Sequence, residues 1–256
     1  MSARPFIRVA GLTAGWDRTV LLKDASFEVP RGDIFAILGG SGSGKSTLLR
    51  YLIGLERPMS GTVEIDGLGS PRLLVGRPRL GVMFQSGGLL GSMTVAQNIA
   101  LPLAEWTTMS GEAIHAIVDA KLQLVNLTGA ESKLPSELSG GMKKRAGIAR
   151  AMALEPELLF LDEPSAGLDP VTAVELDELI LTLNRGLGLT VVIVTHELES
   201  IFKIVKQCIM LDQVSQGIIA RGDPRTLRDE SDNPLVRAFF NRQVPPSGGP
   251  DARRAG

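Results

Sequence analysis

The stretch Gly39-Gly40-Ser41-Gly42-Ser43-Gly44-Lys45-Ser46 constrains this chain more than any other. It follows a short apolar run, Ile34–Leu38, that reads as a buried strand. It precedes a segment, Lys45–Ile53, whose Leu48, Leu49, Leu52 and Ile53 share one helical face, with Gly54 as a natural stop. A strand, a glycine-rich turn and a helix in that order satisfy the G-x-x-x-x-G-K-[ST] pattern in the context that gives it meaning. Glycines let successive backbone N–H groups converge on an anion with no Cβ in the way. The helix aims its positive end and unpaired N–H groups at the same point. Lys45 would add a full charge toward the β- and γ-phosphates of a nucleotide, and Ser46 a hydroxyl for Mg²⁺, with Thr47 completing the nucleotide-binding set. The rival dinucleotide fingerprint, G-x-G-x-x-G, fails: its sixth position is Lys45 counted from Gly40 and Thr47 counted from Gly42.

The rest of the chain repeats the same alternation. Thr62–Ile65 with the Asp66-Gly67 turn, Leu158–Leu161, Thr190–Thr195 and Cys208–Leu211 read as further strands, which predicts an α/β fold with a mostly parallel sheet. Asp169 before Pro170 starts a helix as N-cap and first residue, and Val171, Val174, Leu179, Ile180 and Leu183 form its expected buried stripe. Between about 86 and 155 the patterns are helical (Gly111–Leu124, Gly140–Leu154), so this stretch reads as an insertion in the α/β core, within a single domain over 1–243. The segment 244–256, rich in Pro, Gly and Arg, is expected to be a disordered tail.

Composition sets limits on function. Lysine and arginine number 27 and aspartate and glutamate 28, a net charge of −1 that argues against a nucleic-acid partner. One cysteine, Cys208, excludes an intrachain disulfide and most zinc sites. The absence of a long apolar run or a signal-peptide core leads to the expectation of a soluble, cytoplasmic chain. Yet the mean hydropathy of +0.15 is high for such a chain.

A second motif supplies acids. Leu158-Leu159-Phe160-Leu161-Asp162-Glu163 is a buried strand ending in two carboxylates, the Walker B form. Asp162 would bind Mg²⁺, and Glu163 would act as general base for an attacking water.

Leu138-Ser139-Gly140-Gly141-Met142 then resembles the signature sequence of ABC-type ATPases, and the likeness covers nearly the whole chain. Trp16 occupies the position of the family's adenine-stacking aromatic. Gln85 resembles the Q-loop glutamine, a ligand to Mg²⁺ and to the reacting phosphate. Ser165-Ala166-Gly167-Leu168-Asp169 resembles the D-loop, and Thr195-His196 the switch histidine. The resemblance implies a P-loop NTPase (RecA-like) core with N-terminal antiparallel β elements and an inserted α-helical subdomain. It further implies ATP and Mg²⁺ as cofactors, and a dimer with a second copy of the chain around two ATP. In that dimer Ser139, Gly140, Gly141 and Asp169 would meet the nucleotide held by the opposite phosphate loop, and His196 would steady the attacking water. Met142 departs from the family's glutamine and cannot donate a hydrogen bond. Lys143, Lys144, Arg145 and Arg150 read as a solvated or coupling-face helix; His115 and Cys208 read as structural.

Pro135–Met142 with Lys144-Arg145, and Phe84–Leu90 followed by Met93-Thr94-Val95, resemble the Mla-type branch of the family. Members of that branch serve membrane permeases joined to MCE (mammalian-cell-entry) lipid-binding subunits. This likeness implies phospholipid or hydrophobic-solute transport between inner and outer membranes, with the chain peripheral on the cytoplasmic face of the inner membrane. Leu89, Leu90, Met93, Val95, Ile99 and Leu103 are candidates for a groove that receives a permease helix. Competing readings are an importer or exporter ATPase for another substrate, and a soluble ABC ATPase acting on DNA or ribosomes. The latter usually carries a coiled-coil insertion, zinc cysteines or fused cassettes. A catalytically dead sensor would lack Glu163 or His196, and both are present.

Overall fold

The computed structural model describes residues 5–16, 19–71 and 78–244, with the side chain of Trp16 left out. The tail expected over 244–256 therefore lies, beyond Val244, outside the described residues. In chain order the elements are β1 (Pro5–Trp16), β2 (Thr19–Pro30), β3 (Ile34–Gly39), α1 (Lys45–Leu52), β4 (Ser60–Ile65) and β5 (Leu80–Met83). Next come α2 (Val95–Trp106), α3 (Gly111–Leu124), α4 (Gly140–Ala151), β6 (Leu158–Asp162), α5 (Pro170–Leu187) and β7 (Thr190–Val194). The chain continues through α6 (Leu198–Ile204), β8 (Gln207–Asp212), β9 (Gly217–Gly222), α7 (Pro224–Glu230) and α8 (Pro234–Phe240).

One sheet has six strands in the order β5-β6-β7-β3-β8-β9 and is parallel except at β9. The other has three antiparallel strands, β2-β1-β4, so the Thr62–Ile65 run belongs to this smaller sheet. Every residue of β3, β6 and β7 is buried, as strands covered on both faces require. The two-residue period divides their side chains between two cores. Ile34, Ala36, Leu38, Leu159, Leu161, Val191 and Ile193 face the core shared with α2 to α6. Phe35, Ile37, Leu158, Phe160, Val192 and Val194 face α1 and the antiparallel sheet.

Adjacency in the parallel sheet is what builds the site. Because β6, β7 and β3 are neighbours, the residues just beyond their carboxyl ends come together: Asp162-Glu163, Thr195-His196 and the loop after Gly39. Ligand clefts of open α/β sheets lie at this edge.

Two expectations need correction. In α5 the buried residues begin at Leu176 and continue with Leu179, Ile180 and Leu183, whereas Val171 is 69% exposed and Val174 46%. Asp169 caps this helix from outside the sheet, so its first turn projects past the core. In the region of the suggested groove, Val95, Ile99 and Leu103 on α2 are fully packed in the main core, and only Leu90 is substantially exposed. Asn98, buried beneath them, accepts from Leu90 N–H and donates to the carbonyls of Leu90, Met93 and Thr94, which fixes the turn into α2.

Candidate functional site

The loop between β3 and α1 is shaped by its glycines. Gly39, Gly42 and Gly44 have φ of 145°, 76° and 91°, values that L side chains rarely adopt. At Gly39 a Cβ would lie 2.5 Å from both the Leu211 carbonyl oxygen and the Ser43 hydroxyl. The Lys45 ammonium donates to the carbonyls of Gly39 and Gly40 at 2.9 and 2.8 Å, and its burial lowers its pKa against the pull of Glu163 and Asp162. Ser46 is exposed, Thr47 half-buried, and α1 begins at Lys45 with no side-chain cap, so its first N–H groups stay available.

A cleft of about 780 Å³ opens onto this loop, lined by Gly39, Gly40, Ser41, Gly42, Lys45, Ser46, Gln85, Glu163, His196, Glu197, Leu198, Phe239 and Arg242. Three sequence-distant candidates, Gln85, Glu163 and His196, thus share one wall with the phosphate loop. Asp162 ends β6 just behind Glu163, and burial raises its pKa, with the charge of Glu163 adding to the shift. Its Oδ1 is buried with no hydrogen-bond partner, as are Glu163 Oε2 and Ser43 Oγ. Orphaned acceptors of this kind mark an incomplete polar site.

Glu163 is held at three points. Its N–H donates to the Val194 carbonyl at 2.8 Å, its carbonyl accepts from Lys144 Nζ at 2.6 Å, and its Oε1 lies 2.8 Å from His196 Nδ1. Its φ of 47° is left-handed, a sparsely populated conformation for a glutamate. Strain of this kind persists only where surroundings over-determine it.

Ser139, Gly140, Gly141 and Asp169 do not line the cleft. Ser139 caps α4, its hydroxyl accepting from Met142 N–H at 3.2 Å, and it is exposed with Gly140. Gly141 is buried against Thr172, where a Cβ would come within 2.4 Å of the threonine methyl. Asp169 caps α5, accepting from the N–H groups of Val171 and Thr172 and from the Thr172 hydroxyl, which holds its carboxyl below the usual range. Trp16 ends β1, and its side chain falls outside the described residues.

The ABC transporter family pattern matches residues 22–166. The chain belongs to the ATP-binding subunits of ABC transporters. It is 41% identical to the probable ribonucleotide transport ATP-binding protein mkl of Mycobacterium leprae, over 94% of this chain and 71% of the relative. It is 42% identical to the intermembrane phospholipid transport system ATP-binding protein MlaF of Escherichia coli K12, over 86% of this chain and 83% of the relative. Among solved structures it resembles cbiO1 of Clostridium perfringens, part of the ABC transporter complex cbiONQ. There the TM-score is 0.78 at 28% identity, covering 93% of this chain and 95% of the other. The dimeric, post-hydrolysis ATP-binding cassette MJ0796, bound to ADP and Pi, gives a TM-score of 0.75 at 28% identity, covering 85% and 98%. This chain is accordingly an ATPase of the ABC type, and no helix among its described residues is long and apolar enough to cross a membrane.

Sequence reasoning about this ABC ATPase missed three groups. Phe239 and Arg242 reach the cleft from α8 and the residues after it, with Arg242 3.3 Å from Glu199. No motif marks them. Lys144 stands within a basic run that reads as solvated, but it is buried beside Glu163. Arg145 and Arg150 are likewise engaged, with the Val125 carbonyl and Glu175 and with the Gly88 carbonyl respectively. Met142 packs against the main core, where a thioether serves better than an amide. Cys208 is buried and its pKa is pushed up to about 12, in keeping with a structural role; His115 is exposed, 3.7 Å from Asp119.

Proposed function

We propose that this ATPase drives a membrane permease for phospholipid or a related hydrophobic solute between the inner and outer membranes of a diderm bacterium. The chain would sit peripherally on the cytoplasmic face of the inner membrane. In this reading two copies sandwich two ATP molecules, and an MCE-type lipid-binding subunit completes the assembly. The observation that carries the catalytic part is the Glu163 carboxylate. One oxygen is fixed on His196 and the other is buried without a partner beside the phosphate loop. A carboxylate so placed can take a proton from water on its free oxygen while the histidine keeps it from rotating.

The loop N–H groups of Gly40 to Ser46, the end of α1 and Lys45 would bind the β- and γ-phosphates. Lys45 would exchange its two carbonyl acceptors for phosphate oxygens. His196 would orient both Glu163 and the attacking water. Mg²⁺ fits the residues present: Asp162 offers a buried, unpartnered oxygen, while Ser46 and Gln85 are exposed nearby. No cluster of three or more His, Cys, Asp or Glu able to hold a metal occurs among the described residues. That suits an ion that takes one carboxylate and completes its shell with phosphate and water. When bound, the ion would neutralise charge on the transferring phosphoryl group. Ser139, Gly140, Gly141 and Asp169, which stay out of this chain's own cleft, would meet the nucleotide of the second copy. Trp16 would stack on adenine.

The substrate class rests on the likeness to MlaF and on the Mla-type residues around Gln85 and Ser139. The test is purification of the full chain with its permease in mild detergent, followed by mass spectrometry of the bound small molecules. Copurifying phospholipid is the expected result. Nucleotides as the transported solute would favour instead the reading carried by the mkl relative. A DNA or ribosomal partner in place of a permease would overturn the proposal.

A further inference from the structure

One face of α4 grips the loop that carries Gln85. The Lys144 ammonium donates to the carbonyl of Gln85 as well as to that of Glu163, and the Arg150 guanidinium donates to the carbonyl of Gly88. Between them Gly147 approaches the Gly87 backbone so closely that a Cβ would sit 2.5 Å from its carbonyl oxygen. Residues 144, 147 and 150 are three apart and so lie along one side of the helix. A buried ammonium is costly unless its protons find acceptors, and Lys144, 6% exposed, spends two of them on the backbones of two site residues. Burial lowers its pKa, and the nearby carboxylates of Glu163 and Asp162 oppose that shift.

The same helix begins at Ser139. An α-helix segment five residues long is short and stiff, so a shift or rotation at the N-cap is carried to Lys144 with little loss. Glu163 receives it at its carbonyl, one of the two backbone contacts that hold its left-handed conformation. We propose that Lys144 is a positioning residue through which occupancy of one nucleotide site sets the Glu163 base of the other. The inference rests on the reading above in which Ser139 contacts the second copy's nucleotide. Closure of Ser139 on that nucleotide then fixes α4, and Lys144 fixes Gln85 and Glu163 of its own chain.

The test compares full-length Lys144→Met, which keeps the apolar stem and loses the donors, with Lys144→Arg, which keeps donors. ATP affinity of the isolated chain is read from a fluorescent nucleotide analogue, and steady-state hydrolysis gives kcat, KM and the Hill coefficient. Lys144→Met is expected to bind nucleotide normally, to lose about 10- to 100-fold in kcat through misplacement of the base, and to lose cooperativity. Lys144→Arg is expected to recover both. Unchanged kcat and Hill coefficient in Lys144→Met would overturn the inference. So would lost nucleotide binding, which marks a structural role, or a failure of Lys144→Arg to rescue. Ser139→Arg serves as the separate control: loss of ATP binding by the isolated chain would refute the two-chain reading itself.

Discussion

Asp177 offers a test of how burial and charge are balanced behind the site. It sits on α5, is 3% exposed, and lies near Ser200 and Lys203 of α6. Burial raises its pKa to about 6, against the opposing hydrogen bond from Ser200 and the charge of Lys203. Lys203 is itself engaged with Glu178 at 2.7 Å and with the Val174 carbonyl, so it neutralises Asp177 only in part. In the unfolded chain the carboxyl titrates near 3.8. Between that value and about 6 the folded chain holds more proton than the unfolded one, so stability falls as pH rises through this window and is flat above it. A separation of two pKa units corresponds to ~3 kcal/mol, which screening at the edge of the pair reduces to ~1–2 kcal/mol. Asp177→Asn keeps the shape and the bond to Ser200 while removing the charge. At pH 7.5 the variant is expected to be more stable by ~1–2 kcal/mol, a rise in Tm of about 2–6 °C. At pH 4, where the native carboxyl is protonated, the gain should largely vanish. Urea or thermal unfolding of the nucleotide-free chain at both pH values measures it. A variant less stable at pH 7.5, or one with the same gain at both pH values, would refute the balance described.

Other outcomes follow from the site and from α4. Glu163→Gln should bind ATP and lower turnover at least about a hundredfold, accumulating an ATP-bound dimer visible by size-exclusion chromatography; near-native hydrolysis excludes the residue as base. Ser139→Arg should abolish hydrolysis while the isolated chain still binds nucleotide, since the serine stands away from its own cleft. Gly147→Ala gains helix propensity but drives a methyl into backbone atoms of Gly87, at 2.5 and 2.9 Å. Overpacking against backbone should win, with a net loss of ~1–2 kcal/mol in thermal unfolding; an unchanged or higher Tm would show that the loop yields freely.

The residues that sequence reading located well are those whose chemistry is local. The strand into Gly39, the glycine loop, Lys45 and the Asp169-Pro170 cap each act through neighbours a few positions away, so spacing alone reveals them. Long β1 and β2 left no such trace in the residues. Their pairing shifts register at several points and passes Gly11 and Gly15, which breaks the two-residue alternation. The proline inside α2, Pro102, similarly argues against a helix that tertiary packing nonetheless maintains through Val95, Ile99 and Leu103. Lys144 shows the deeper reason. On sequence it is one of four basic residues between 143 and 150, and composition favours solvent for all of them. Its burial depends on the carbonyls of Gln85 and Glu163, 59 and 19 residues away, arriving at the same face of α4. Charge patterning describes what a residue prefers on its own, whereas a buried cation is decided by acceptors that only the assembled sheet supplies. The same holds for the high mean hydropathy of a chain whose described helices span no membrane. Val171 and Val174 stand exposed beside Asp169, one turn from the residues proposed to meet a second copy. Among the described residues neither is covered by the packed core, and both would be buried if the second copy proposed above docks on this face.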